Sequence, residues 1–295
     1  MKIGVSAYSF QSLLSSGASD LPGVIRRAKD LGFQGIEFIR DSFPPNDGEL
    51  LQRAATTREL CAAQGLPVVA YAVGADFLKP TGGGDWKDQV ERLKREVKVA
   101  SALGVPCMRH DATRGEGAQF EAALPIIAKG CRALTEYAAD LGIRTMVENH
   151  GYFVQESSRC ARLMETVKHP NFGSLVDMGN FLCADDDPVQ AVTRMAAYIV
   201  HCHAKDFHYK PAGAANPGRG WFPTRGGAHL RGAIVGHGVV DIPGCIKVLH
   251  RSGYNGFLSI EFEGLEDCGL ALEIGRENLR SYLASAGCLD EQTTG

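Results

Sequence analysis

Apolar and polar positions along this chain follow two alternating rhythms. Short runs rich in Val, Ile, Leu and Phe, at residues 3–9, 35–39, 68–73, 107–111, 145–149, 174–178, 199–205 and 258–262, read as strands. Between them lie longer segments with amphipathic helical spacing, at 21–31, 49–64, 86–103, 120–141, 157–167, 188–195, 242–251 and 268–286. Five linkers ("DLGFQGIEF", "AQGLPVVAY", "ALGVPCMRH", "DLGIRTMVE", "RSGYNGFLSIE") put a glycine where a helix should end, a few residues before the next strand. That is the signature of a helix C-cap followed by a short loop into a strand. Strictly alternating units of this kind predict parallel strands with crossover helices, and eight of them in 295 residues predict a closed (β/α)8 TIM barrel, one domain over residues 1–295. No G-x-G-x-x-G follows the first strand, which argues against an open doubly wound sheet.

One connection breaks the rhythm. Residues 207–241 are rich in Gly and Pro, contain Trp221, Arg225, His229 and His237, and show no clear helix. Long loops in compact folds are usually functional, and one that follows a barrel strand lies on the face where barrel active sites are built. The segment is therefore expected to be an active-site loop, with Arg225 and His237 as candidate substrate contacts.

Side chains two apart on a strand share a face. Met146, Glu148 and His150 form one such set; Leu175, Asp177 and Gly179 a second; His201, His203 and Lys205 a third; Ser259, Glu261 and Glu263 a fourth. If these faces line the barrel, Glu148, Asp177, His203 and Glu261 converge at its mouth. Three carboxylates crowded there raise one another's pKa, and burial adds to the cost. A divalent cation resolves the conflict. Three oxygen donors and one imidazole suit Mn2+ best, with Mg2+, Co2+ or Zn2+ also accommodated.

Composition narrows the class of ligand. A net charge of −3 leaves no electrostatic footprint for nucleic acid or an anionic membrane. Small-molecule partners fit better, and a homo-oligomer is compatible with the composition. No run reaches the roughly 18 apolar residues of a membrane span, and "MKIGVSAYSF" runs directly into strand-like sequence without a leader-type apolar region. The nine cysteines are scattered and never form C-x-x-C, which predicts reduced, buried thiols in a cytoplasmic protein.

The strand-end runs "VENHG", "VDMGN", "HAKD" and "SIEFEG", with "GIEF" on the second strand and "GHGVVDIPG" after the long loop, resemble the xylose isomerase-like barrels, especially their sugar isomerase and epimerase branch. The resemblance covers essentially the whole chain. It implies one metal ion held by Glu148, Asp177, His203 and Glu261, with Glu148 and Glu261 also serving as the acid/base pair that moves a proton on the carbon beside a ketose carbonyl. The expected function is thus a metal-dependent ketose isomerase or epimerase acting on a sugar or keto sugar. No phosphate-cradling Gly-rich turn stands out, which favours an unphosphorylated substrate.

The match to that pattern is not complete. Ketose epimerases of the family often carry histidine three residues after the strand-six aspartate, where this chain has Asn180, and this chain adds His150. Relatives that dehydrate keto-inositols or eliminate from 3-keto glycosides begin with the same proton abstraction, so a lyase is the alternative. Two readings apply to His150, which either orients a ligand or touches substrate. Two also apply to Lys205, which either pairs with Glu148, Asp206 or Glu261 or binds a substrate hydroxyl. Glu37 and His110 complete the candidate substrate-binding set. Distant relatives that cleave DNA at abasic sites need several zinc ions and a basic surface, which the net charge argues against.

Overall fold

The eight apolar runs form parallel strands, and the last pairs with the first. The computed structural model describes residues 1–43, 47–80, 82–115 and 117–289; the end of the predicted domain, 290–295, lies outside them. In chain order the elements are β1 (Lys2–Ser6), α1 (Gln11–Ser15), α2 (Leu21–Asp30), β2 (Gly35–Ile39), α3 (Leu50–Ala63), β3 (Val68–Val73), α4 (Trp86–Leu103), β4 (Cys107–His110), α5 (Phe120–Ala139) and β5 (Arg144–Glu148). They continue with α6 (Ser157–Val167), β6 (Phe172–Asp177), α7 (Pro188–Met195), β7 (Ile199–Ala204), β8 (Asp206–Lys210), β9 (Phe222–Pro223), β10 (His229–Ala233), α8 (Ile242–Arg251), β11 (Phe257–Ile260) and α9 (Cys268–Ser285). The order β1-β11-β7-β6-β5-β4-β3-β2 closes a barrel, because Lys2–Val5 of β1 pair in parallel with Phe257–Ile260.

Local chemistry sets the element ends. Gly32, Gly65, Gly104, Gly142 and Gly253, the glycines of the five linkers, all take φ between 59° and 80°, a conformation that costs a residue with a Cβ. Asp85, Asp187, Asp241 and Asp267 cap α4, α7, α8 and α9 by accepting from backbone N–H groups of the first turn, satisfying donors that the helix leaves orphaned.

Apolar packing falls in two layers. A large cluster fills the space between wall and helices. Inside the barrel, Ala70, Cys107, Met146 and Leu175 pack with Val200 and plug its lower part, so the polar strand ends stand on an apolar floor. All nine cysteines are free and buried.

Two expectations are corrected. The first strand stops at Ser6, and residues Ala7–Phe10 curl into a 3-10 turn that brings Tyr8 over the barrel mouth. The segment 207–241 is not an irregular loop, since β8, β10 and β9 form a three-stranded antiparallel sheet. Phe207 and Leu230 bury their side chains with Cys183, and the partly buried Phe222 and Leu182 pack against them, so the sheet docks on the turn after β6, beside the mouth instead of across it.

Candidate active site

Strand alternation delivers the polar groups to one level above the apolar floor. Asp177 of β6 lies in register with His203 of β7, which in turn is in register with Ser259 of β11. Glu148 ends β5, and Glu261 follows β11. Ligand atoms of Glu148, Asp177, His203 and Glu261 all lie within 4.8 Å of one another. Nδ1 of His203 faces Oδ2 of Asp177 and Oε2 of Glu261 at 3.6 Å and Oε1 of Glu148 at 3.8 Å.

Buried neighbours fix each of the four. Oδ1 of Asp177 accepts from the backbone N–H groups of Gly179 and Asn180, which leaves Oδ2 turned to the cluster. Asn149 clamps the Asp177 backbone, donating to its carbonyl and accepting from its N–H. Asn180, three residues after Asp177, donates to Oε1 of Glu148 and accepts from Lys205. Nε2 of His203 lies 2.7 Å from Oε1 of Glu37, whose Oε2 takes a contact of 2.9 Å from Nε2 of His201.

Cations grip the two glutamates from outside. Arg109 of β4 bridges Oε2 of Glu148 at 2.7 Å and Asp111 at 2.8 Å. Lys205 lies 2.6 Å from Oε2 of Glu261 and 3.3 Å from Asp177. Burial opposes the charge on Lys205, yet Asp177 and Glu261 hold its pKa well above the ordinary lysine value. On His203, burial is likewise outweighed by Glu37 and Glu261, which push the imidazole pKa well up. The cavity therefore favours positive charge.

That preference and the donor set fit a divalent metal ion. Oδ2 of Asp177 and Nδ1 of His203 are buried and make no hydrogen bond, a costly condition unless a ligand meets them. Three carboxylates and an imidazole are a donor set that first-row divalent ions accept, and the Glu37 contact behind His203 resembles the outer partner that usually orients a ligating histidine.

A cavity of about 280 Å³ opens above this cluster, lined also by His150, Tyr8 and Glu263. His150 turns Nδ1 to Oδ1 of Asp111 at 3.1 Å, and its side chain is 51% exposed. Burial works against the charged ring there, but the Asp111 contact raises its pKa.

Several expected contacts are not brought to this cavity. His110 is wholly buried, its Nδ1 2.9 Å from the Asp111 carbonyl and its ring packed edge-on to Phe77. Strand parity turns it outward and Arg109 inward. Arg225 donates to the Tyr152 carbonyl and pairs with Glu156 at 2.8 Å, pinning the sheet to the connection after β5. His237 is exposed in a turn beyond β10. Glu37, by contrast, does line the cavity, but deep in it, 1% exposed and with both oxygens against the imidazoles of His201 and His203, so that it stands behind a cluster residue. Among the described residues, none of 207–241 lines the cavity. Conversely, Arg109, Asp111 and Tyr8 belong to the site and are absent from the expected set. Parity along "CMRHD" points to Arg109 and Asp111 together.

A closed eight-stranded barrel with an acidic, imidazole-bearing mouth defines the class, and the chain belongs to the Xylose isomerase-like TIM barrel family, whose model matches residues 25–287. Three relatives give its neighbourhood. The rhizopine catabolism protein MocC of Rhizobium meliloti is 33% identical over 160 residues, covering 52% of this chain and 48% of that protein. The match thus spans about half of that relative's length. Inosose dehydratase of Clostridium botulinum (strain Alaska E43 / Type E3) is 27% identical over 245 residues, 79% of this chain and 78% of that enzyme. A solved L-ribulose 3-epimerase superposes with a TM-score of 0.72 at 18% identity, over 100% of this chain and 98% of that one. Among the described residues, no helix is long and apolar enough to cross a membrane.

Proposed function

We propose that this chain is one catalytic domain that holds a single divalent metal ion, Mn2+ by its donor set, through Glu148, Asp177, His203 and Glu261, and dehydrates a keto polyol or keto sugar. When bound, the ion supplies Lewis acidity to the substrate carbonyl and to the oxyanion that develops there. The observation that carries the reading is the contrast between two side chains. Glu148 has both oxygens engaged, by Arg109 and Asn180, whereas His150, tethered to Asp111, lines the cavity outside the cluster.

Glu261 takes the proton from the carbon beside the carbonyl, so that the C–H pair becomes the enolate. As the enolate collapses, the bond to the β-hydroxyl breaks and His150 gives that oxygen a proton, releasing water. Lys205 keeps the Glu261 carboxylate oriented, and Arg109 does the same for Glu148. The 27% identity to an inosose dehydratase over most of both chains supports this chemistry. The sequence alone puts epimerisation first; the engagement of both Glu148 oxygens and the placement of His150 support putting dehydration ahead of it.

Epimerisation or isomerisation is the second reading, favoured by the arrival of Glu148 and Glu261 from separate strands, as a two-base proton transfer needs. A panel of inososes, ketoses and 3-keto glycosides with Mn2+, followed by NMR in D2O and by mass, separates the two. Dehydration predicts loss of water from one substrate class. His150→Asn should then abolish water loss yet keep deuterium exchange beside the carbonyl, and Glu261→Gln should abolish both. A deuterated product that retains all its oxygens, formed at an undiminished rate by His150→Asn, would establish the second reading.

A further inference from the structure

Among the described residues the antiparallel sheet adds nothing to the cavity lining, yet it grips the turn that carries His150. That turn is strained. Phe153 N–H donates to the Gly151 carbonyl at 2.9 Å, which closes a three-residue γ-turn around Tyr152 at φ 65°. A γ-turn with positive φ at its centre is rare, because that conformation crowds any residue with a Cβ. Glycine would relieve it, as at the preceding Gly151 with φ 78°. The position instead holds a tyrosine that is 43% exposed, so neither backbone preference nor burial accounts for the residue.

Ties from the sheet do account for it. The Tyr152 hydroxyl donates to the Pro223 carbonyl at 2.8 Å, and Arg225 donates to the Tyr152 carbonyl while pairing with Glu156 at 2.8 Å. The segment that supplies these ties is itself anchored. Arg225 N–H donates to the Cys183 carbonyl at 2.8 Å, and the Thr224 hydroxyl to Oδ1 of Asp185 at 2.6 Å. From the barrel side, Tyr152 N–H donates to Oε1 of the buried Gln155 at 2.6 Å, whose amide donates in turn to the carbonyls of Asn149 and Asn180. Backbone strain persists only where surrounding contacts over-determine it, and it gathers at functional sites. Two residues before Tyr152, the side chain of His150 is 51% exposed, and among the described residues its ring has a single polar partner, Oδ1 of Asp111 at 3.1 Å. A ring so little packed depends on its backbone for its place.

We infer that Tyr152 and Arg225 are positioning residues that hold this turn in its strained form and so keep His150 over the cavity. The sheet thereby serves the reaction without touching the substrate. The inference rests on the reading of His150 as the acid that protonates the departing hydroxyl. Freed from the two ties, the turn relaxes towards negative φ at Tyr152, and the ring leaves both Asp111 and the departing oxygen. Glu261, which follows β11, keeps its contact to Lys205, so proton abstraction continues and the protonation step alone suffers.

The test is the double variant Y152F/R225M, assayed as the metal-loaded full chain on the substrate that wild type dehydrates. The ratio of water loss to deuterium exchange beside the carbonyl should fall by about 10–100-fold, the cost of misplacing a reacting group by about an ångström, with exchange itself unchanged. Tyr152→Gly, which removes one tie together with the strain, guards against a failure to fold. Its melting temperature should match or exceed that of wild type while the ratio still falls, whereas a merely structural role would lower stability and leave the ratio alone. A second readout needs no turnover. In the Mg2+-loaded chain, NMR of labelled histidine should show the His150 ring signal move and its Asp111 contact vanish in the double variant, with the His110 and His203 signals in place. An unmoved His150 signal, or a wild-type ratio in either folded variant, overturns the inference. If wild type releases no water from any substrate, the dehydration reading fails by itself, and the His150 signal still decides whether the ties hold the ring.

Discussion

Nε2 of His203 lies 2.7 Å from Oε1 of Glu37 while Nδ1 of the same ring faces the carboxylates of Glu148, Asp177 and Glu261. One imidazole thus divides its two nitrogens between a supporting carboxylate below and the cluster above. The support is itself shared, because Glu37 also holds His201, and the two histidine rings meet edge to face at 5.8 Å.

Glu37→Gln tests that arrangement. The amide keeps the shape and loses the charge that orients the His203 ring and strengthens its basicity. Mn2+ affinity should fall by about 10–100-fold, read by calorimetric titration of chelator-treated protein. Affinity within experimental error of wild type would show that Glu37 is only a packing partner of the two rings.

Much of this site is legible in the sequence, and the losses have particular causes. Parity along β5, β6, β7 and β11 finds the four cluster residues because the last residues before each polar end are regular; the register shift between β6 and β7, at Ser174/Leu175, comes earlier. The same rule on β4 selects Arg109 and Asp111, but imidazole chemistry draws attention to His110, which faces the helices. Tyr8 escapes because the chain leaves strand geometry after Ser6, where parity carries no information. Glu37 has the right face, yet depth along the barrel axis is set by the stagger of neighbouring strands and cannot be read from one strand alone. Arg225 and His237 sit in a segment without periodicity, and its antiparallel pairing to β8 depends on a docking surface formed elsewhere in the chain.

Arg109→Met should be costly even without substrate. The guanidinium is the bridge between two carboxylates, Glu148 at 5% side-chain exposure and Asp111 at 24%. Burial alone would raise the Asp111 pKa, and Arg109 is the main reason it lies well below the usual carboxylate range. Removing one partner of a buried ion pair typically destabilises by about 3–5 kcal/mol. Urea unfolding at neutral pH measures the loss, and an unchanged midpoint would mean that solvent replaces the guanidinium at no cost.

His110 should give the protein an acid sensitivity distinct from that of the carboxylates. Burial lowers its pKa to about 4, a pull that the Asp111 carbonyl contact only partly offsets. Nδ1–H donates to that carbonyl, and Nε2 is buried without a partner, so protonation would place a charge among Phe77 and Phe172. The unfolded chain takes up the proton near pH 6.5, whereas the folded chain resists until about pH 4. Stability is therefore full above 6.5 and falls as pH drops through this window, by about 3 kcal/mol in total. In His110→Phe that part of the pH slope should vanish. An NMR titration of the wild-type ring with a midpoint near 6.5 would refute the assignment.

The antiparallel sheet after β7 hangs on one carboxylate. Asp206 is 1% exposed, and its side chain accepts from the backbone N–H groups of Phe207, Gly236, Gly238 and Val240 at 2.8–3.0 Å. It thereby joins the first residue of β8 to the turn that follows β10, closing a loop of about thirty residues at its base. Asp206→Ala leaves these donors without their acceptor, and each buried unsatisfied group costs about 1–3 kcal/mol unless water reaches it. Relief is cheapest if the turn loosens, so the loss should concentrate in the sheet and spare the barrel, whose strands pair independently of it. Hydrogen exchange should accelerate across 206–240 in the variant and stay at wild-type rates in β4, β5 and β6. Because the sheet packs on Leu182 and Cys183, which belong to the same turn as Asn180, a modest drop in metal affinity should accompany it. Uniform acceleration through barrel and sheet alike would instead mean that Asp206 supports global stability and that the sheet and barrel unfold as one unit.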